Sequence, residues 1–134
     1  MAFLAPYEGL VLGLMRILAG ISFATHGAQK LFGLFGGTGG GMPAPMLYTA
    51  GAIEFFGGLL IALGLFSGIA AFVASGMMAV AYFIAHFPRL FGDFPEGFFP
   101  IKNGGELALL YCWVFLYVAA RGPGALAIQP ASDT

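Results

Sequence analysis

Arg16-Ile17-Leu18-Ala19-Gly20-Ile21-Ser22-Phe23-Ala24-Thr25-His26-Gly27-Ala28-Gln29-Lys30 lies inside a long apolar run, Tyr7 to Phe32. About 26 residues of helix rise ~39 Å, more than the ~30 Å hydrocarbon core of a bilayer. The run carries a guanidinium near its middle and an imidazole, an amide and an ammonium near its end. An arginine at such depth is expensive and needs a partner. Every other polar residue in the apolar segments is therefore read as an answer to Arg16. Arg16, Gly20, Phe23, Gly27 and Lys30 recur at spacings of four and three, which places them on one helical face.

Of the 134 residues, 60% are hydrophobic and only 8% are charged. A soluble domain carries about 25% charged residues. The deficit and a mean hydropathy of +0.93 place the chain in lipid. The formal net charge of −1 leaves no basic patch for nucleic acid. One cysteine, Cys112, permits no internal disulfide and reads as an ordinary apolar thiol beside Trp113. The first run has no basic leader and is too long for a signal h-region, so it is expected to stay as a membrane anchor.

The chain divides into four expected helices: 7–32, 45–66, 69–87 and 103–120. They form one all-α domain, 1–124, followed by a short tail, 125–134. The fold class is an integral membrane four-helix transmembrane bundle with both termini on the same side. Gly9 and Gly13, then Gly20, Ala24 and Ala28, set small residues at fourfold spacing for close helix approach. Gly33 to Gly41 lacks the helix and Lys or Ser/Thr cue of a phosphate loop and reads as a connection. Ser67-Gly68 is a very short turn, so the second and third helices are antiparallel neighbours. Pro88 to Ile101 mixes Phe91, Phe94, Phe98 and Phe99 with Arg89, Asp93, Glu96 and Lys102. That mixture suits the membrane interface, folded back over the bundle mouth.

Depth pairs the polar groups. Arg16 and Glu54 each lie about nine residues into helices entering from opposite sides, roughly 14 Å deep, so a buried Arg16–Glu54 ion pair is expected. His26, Gln29, Lys30, His86, Asn103 and Glu106 collect near the other end of the bundle. His26, Lys30, His86, Asn103 and Glu106 make a candidate ligand and proton-handling pocket for a polar-headed hydrophobic molecule such as a quinone. Two histidines with a carboxylate are also metal-ligand types, but their spacing is no recognised motif and no metal is assigned. Interfacial contact with headgroups and water is the plainer use of the same residues. The tyrosines at 48, 82, 111 and 117 and Trp113 read as interface or packing aromatics.

Arg16 and Gly20 followed by Gly27 and Lys30, then Glu54-Phe55-Phe56-Gly57-Gly58 with Gly64, resemble the DoxX family. His86 closing the third helix, Glu106 opening the fourth and a final Gly122-Pro123-Gly124 extend the resemblance over about Leu10 to Gly124. It implies a small four-helix protein of the bacterial inner membrane tied to redox chemistry. The family takes its name from a relative of a thiosulfate:quinone oxidoreductase subunit. Some members are linked to membrane complexes that include superoxide dismutase and a sulfurtransferase. For most members no activity is established. After Gly-Pro-Gly the family commonly has a basic segment, where this chain has Ala125-Leu126-Ala127-Ile128-Gln129. The count of Lys30, Arg89 and Lys102 against Arg121 puts the loop side in the cytoplasm, whereas the family habit puts the termini there.

Two functions follow. One is a membrane subunit of a redox system, an oxidoreductase partner that holds a quinone-like molecule. The other is a non-catalytic anchor or assembly subunit of a larger, respiratory or redox, complex. A transporter is a third reading and needs a homo-oligomer, because four short helices enclose a narrow path. No dinucleotide fingerprint, c-type haem motif or cysteine cluster supplies an electron carrier, so electrons have to come through a bound organic molecule or a partner.

Overall fold

Without water, backbone N–H and C=O groups have to be satisfied inside the chain. The described residues, 2–37, 41–86 and 96–129 of a computed structural model, contain helices and turns and no strand. A 3-10 stretch, Ala2–Tyr7, leads into α1, Glu8–Phe32, which ends at Gly33 in the left-handed region with φ 66°. Helix α2 covers Ala44–Leu63 with a π-helical turn at Ile53–Gly57, and α3 covers Ser67–His86 with a second at Tyr82–His86. A one-turn helix, α4, Pro100–Asn103, precedes α5, Glu106–Arg121.

Among the described residues, α2, α3 and the run Phe3–Phe32 are long and apolar enough to cross a bilayer. Helix α5 has 16 residues, roughly 24 Å of rise. It starts later than expected because Asn103-Gly104-Gly105 is a turn. The Asn103 Oδ1 accepts a hydrogen bond from the Gly105 N–H at 2.8 Å, and Gly104 takes φ 74°. An asparagine that bonds its own backbone two residues on favours a turn over helix. The turn between α2 and α3 also moves, from Ser67-Gly68 to 64–66. Gly64 takes φ 68°, and the Leu65 N–H bonds back to the Leu60 carbonyl at 3.0 Å. That is a Schellman-type helix end, which glycine allows without a Cβ penalty. The expected fold-back of the Phe-rich connection falls largely on residues 87–95, outside the described residues.

Small residues set the spacing of α1 and α2. A Cβ on Gly20 would lie 2.6 Å from the Ala62 nitrogen, and one on Gly27 would lie 2.7 Å from the Gly51 oxygen. The two backbones therefore touch, as expected at Gly20 and Ala24, whereas a Cβ on Gly9 meets nothing within 4 Å and one on Gly13 meets Ala125 rather than a helix. Helices α3 and α5 form the other half. The Ser75 hydroxyl donates across it to the Cys112 carbonyl at 2.8 Å. Phe23, Tyr111 and Phe115 join the halves, with ring centroids 4.8 to 5.4 Å apart. Outward, Ile69 is 72% and Trp113 67% exposed, as lipid-facing residues are.

Residues 122–129 form a strap. The Ala125 N–H donates to the Gly9 carbonyl at 2.8 Å, and the N–H groups of Ile128 and Gln129 donate to Leu63 and Gly64, each at 3.0 Å. The Gln129 side chain accepts from the Phe66 N–H at 3.1 Å. Residues 122–129 thus cross the ends of α1 and α2 and satisfy the Leu63 and Gly64 carbonyls where α2 ends.

Candidate functional site

Arg16 and Glu54 do not pair. The Arg16 side chain is fully buried and donates all five of its N–H groups to backbone carbonyls. Nε reaches Pro123 at 2.7 Å, Nη1 reaches Ile61 at 2.6 Å and Ala62 at 2.5 Å, and Nη2 reaches Leu126 at 2.9 Å and Ala125 at 3.2 Å. Ile61 and Ala62 lie in the last turn of α2, where carbonyls lack helical partners and the helix dipole is negative. A helix end and a strap therefore stabilise this cation where a carboxylate was expected.

The reason is register. Gly20 packs against Gly58 and Ala62, and Gly27 packs against Gly51 and Phe55. Arg16 therefore lies level with the end of α2, while Glu54 lies level with His26. The two sites are about ten residues apart along the axis, roughly 15 Å. Counting depth from the two helix starts assumes that each helix begins at its own membrane boundary, which the longer α1 does not obey.

Glu54 instead takes the Lys30 ammonium on both carboxylate oxygens. The Glu54 side chain is 4% exposed and that of Lys30 19%. Neither charge is tolerable alone in an apolar interior, and each supplies the other's partner. Glu54→Gln alone is expected to lower stability by about 2 kcal/mol, since Lys30 keeps some access to the adjoining cavity. The combined replacement Lys30→Met with Glu54→Leu is expected to restore most of that loss in thermal unfolding.

The ion pair forms one wall of a cavity of about 280 Å³ between α1, α2, α3 and α5. His26, Lys30 and His86 of the expected pocket line it, and Glu54 joins them. The other walls are mainly apolar, with Phe23, Met42, Met78 and Leu107. Tyr111 also lines it and donates its hydroxyl to Ser22 Oγ at 2.6 Å. The His26 ring meets the Tyr111 edge with centroids 6.2 Å apart.

Two expected members stand elsewhere. Glu106 is exposed in the first turn of α5 and is not on the cavity wall. A first-turn carboxylate on the outward face serves the helix dipole. Asn103 is buried behind the wall. Its amide donates to the Tyr82 hydroxyl and to the Gly97 carbonyl, each at 3.2 Å, and its own carbonyl lies 3.0 Å from His86 Nδ1. It touches His86 and is absent from the cavity lining. Tyr111, expected as an interface or packing aromatic, shares a helical face with Leu107 and Ala108 by its spacing.

Glu54 and His86 both sit on π turns. Such turns are rare and often mark functional sites. Among the described residues, no three His, Cys, Asp or Glu side chains gather as a metal site. The arrangement sets an ammonium held by a carboxylate, two imidazoles and a phenol among apolar side chains.

The DoxX family model matches residues 11–87. An uncharacterized protein of Haemophilus influenzae is 43% identical over 130 residues, covering 94% of this chain and 93% of that protein. No solved structure matches the chain. Three helices of spanning length make this a multi-pass membrane protein, and it belongs to the DoxX family.

Proposed function

We propose that this protein is a membrane subunit of a redox system, resident in the bacterial inner membrane, and that its cavity holds the head group of a quinone-like molecule. The observation that carries the reading is the gathering of His26, Lys30, Glu54 and His86, with Tyr111, in the lining of one otherwise apolar cavity. Small-molecule sites combine an apolar lining with a few convergent polar groups. A ring bearing oxygens, with a hydrophobic tail, matches that division. When bound, a quinone supplies two-electron, two-proton chemistry. The chain's own part is to bind and orient the ring and to hold protons at the imidazoles of His26 and His86. Glu54 holds the Lys30 ammonium in place, which leaves one of its three N–H groups for a ligand oxygen. The electrons come from a partner subunit.

In this reading α5 is the fourth span and both termini lie on one side of the membrane. The Arg121–Glu8 ion pair at 2.8 Å and the Ala125–Gly9 hydrogen bond support that arrangement.

The test is to purify the protein in mild detergent, identify the small molecules it retains by mass spectrometry, and titrate it with a short-chain benzoquinone. A retained quinone, and saturable binding weakened roughly tenfold or more by Lys30→Met, is the expected result. No retained quinone and no binding on titration would overturn the reading and leave the anchoring role.

A further inference from the structure

We infer that the cavity prefers the reduced, hydroxyl-bearing form of its ring ligand over the oxidised form, because His86 presents a hydrogen-bond acceptor. The inference rests on the quinone reading above and adds the redox form that the site selects. His86 Nδ1 lies 3.0 Å from the Asn103 carbonyl oxygen. A carbonyl oxygen only accepts, so Nδ1 carries the proton of that bond. In the neutral imidazole the other nitrogen, Nε2, is then a lone pair. Among the described residues nothing hydrogen-bonds Nε2, and His86 lines the cavity. Nε2 is therefore the ring nitrogen left for a ligand.

The carbonyl that sets this tautomer is itself fixed. Asn103 is 1% exposed. Its side chain is tied to the Tyr82 hydroxyl, the Gly97 carbonyl and the Gly105 N–H. Tyr82 and His86 bound the π turn that ends α3, so the histidine and the group that orients it are tied to the same turn. Asn103 is a positioning residue for His86.

The polarity of the site follows. A quinone carbonyl only accepts, so it suits Lys30 but sets a lone pair against His86 Nε2. A quinol hydroxyl donates to Nε2 and can still accept from Lys30. The mismatch of one buried polar group is expected to separate the two forms by about tenfold in affinity. Tighter binding of the quinol raises the midpoint potential of the bound two-electron couple, by about 30 mV for tenfold.

The experiment uses the full-length protein in detergent under anaerobic conditions, with decylbenzoquinol and decylbenzoquinone as probes in equilibrium binding. The quinol is expected to bind about tenfold tighter, and a redox titration of the bound couple to shift upward accordingly. Equal affinities, or a tighter quinone, overturn this inference while leaving the cavity as a quinone site. Failure of both probes to bind overturns the cavity reading and this inference with it. His86→Leu is expected to bring the ratio of affinities close to one. Asn103→Ala is expected to lower quinol affinity while sparing quinone affinity, whereas equal weakening of both would mark Asn103 as merely structural and count against its positioning role. Should either variant fail to fold, the wild-type ratio and potential still decide.

Discussion

Arg16→Gln is expected to lower the stability of the protein by about 3–5 kcal/mol and to release the strap at residues 122–129. Five N–H groups meet five carbonyls around this side chain, so no donor in the guanidinium is idle. An amide replaces at most two of those bonds and leaves buried carbonyls of α2 and the strap unmatched. Removing donors from a buried site costs more than the net worth of the bonds, because the acceptors stay desolvated. Arg16→Lys is expected to recover only part of the loss, since an ammonium has three donors and no planar fork. Thermal unfolding in detergent measures the stability, and hydrogen exchange at the Ile128 and Gln129 amides reports the strap, because both donate to the α2 end. Glu54→Gln is expected to leave those two amides protected. The combined Arg16→Gln, Glu54→Gln variant is expected to show additive losses within about 0.5 kcal/mol, as distant sites do. A strong coupling between the two would restore the direct ion pair that the register excludes.

What the sequence disclosed and what it hid divide along physical lines. Long apolar runs and glycine or alanine at fourfold spacing report helices and their close faces. The inward face of α1, from Arg16 through Gly20, Phe23 and Gly27 to Lys30, was legible from periodicity alone. So was the gathering of His26, Lys30 and His86, because all three sit near the same end of their helices. The partner of Arg16 was hidden, because a carbonyl acceptor is present at every residue and leaves no mark in the sequence. Glu54 was assigned to the wrong cation because its depth was counted from helix ends, whereas glycine contacts set the register. The strap was hidden for a related reason: Ala125-Leu126-Ala127-Ile128 has no turn or charge signal to say that it folds back. Room for it is recorded only indirectly. A Cβ on Gly13 would crowd the Ala125 backbone, and one on Gly64 would lie 2.7 Å from the Ala127 Cα. Asn103-Gly104-Gly105, by contrast, carries a cue. Asparagine followed by two glycines is a turn signal, and it would have placed the start of α5 at Glu106 and Asn103 outside the helix.

Gly27→Leu is expected to cost about 3 kcal/mol, toward the upper end of overpacking losses, and to abolish ligand binding in the cavity. A Cβ at this position would lie 2.6 Å from the Phe55 Cα and 2.7 Å from the Gly51 oxygen, both backbone atoms that cannot turn aside. The helices have to separate. Lys30 lies three residues beyond Gly27, and Glu54 is the neighbour of Phe55, so separation pulls directly on their ion pair. Gly76→Leu on α3 is the matched comparison, because a Cβ there meets nothing within 4 Å and the residue is exposed. It is expected to change stability by less than about 1 kcal/mol, with helix propensity favouring leucine. The pair of variants separates two causes of lost binding. General damage from a bulky residue in a lipid-facing helix would lower both melting temperatures. Loss confined to Gly27→Leu, in melting temperature and benzoquinone titration alike, would show that backbone contact between α1 and α2 sets the spacing of the cavity wall. An unchanged Gly27→Leu protein would mean that these helices do not meet at Gly27, and the Lys30–Glu54 pairing would fall with that contact.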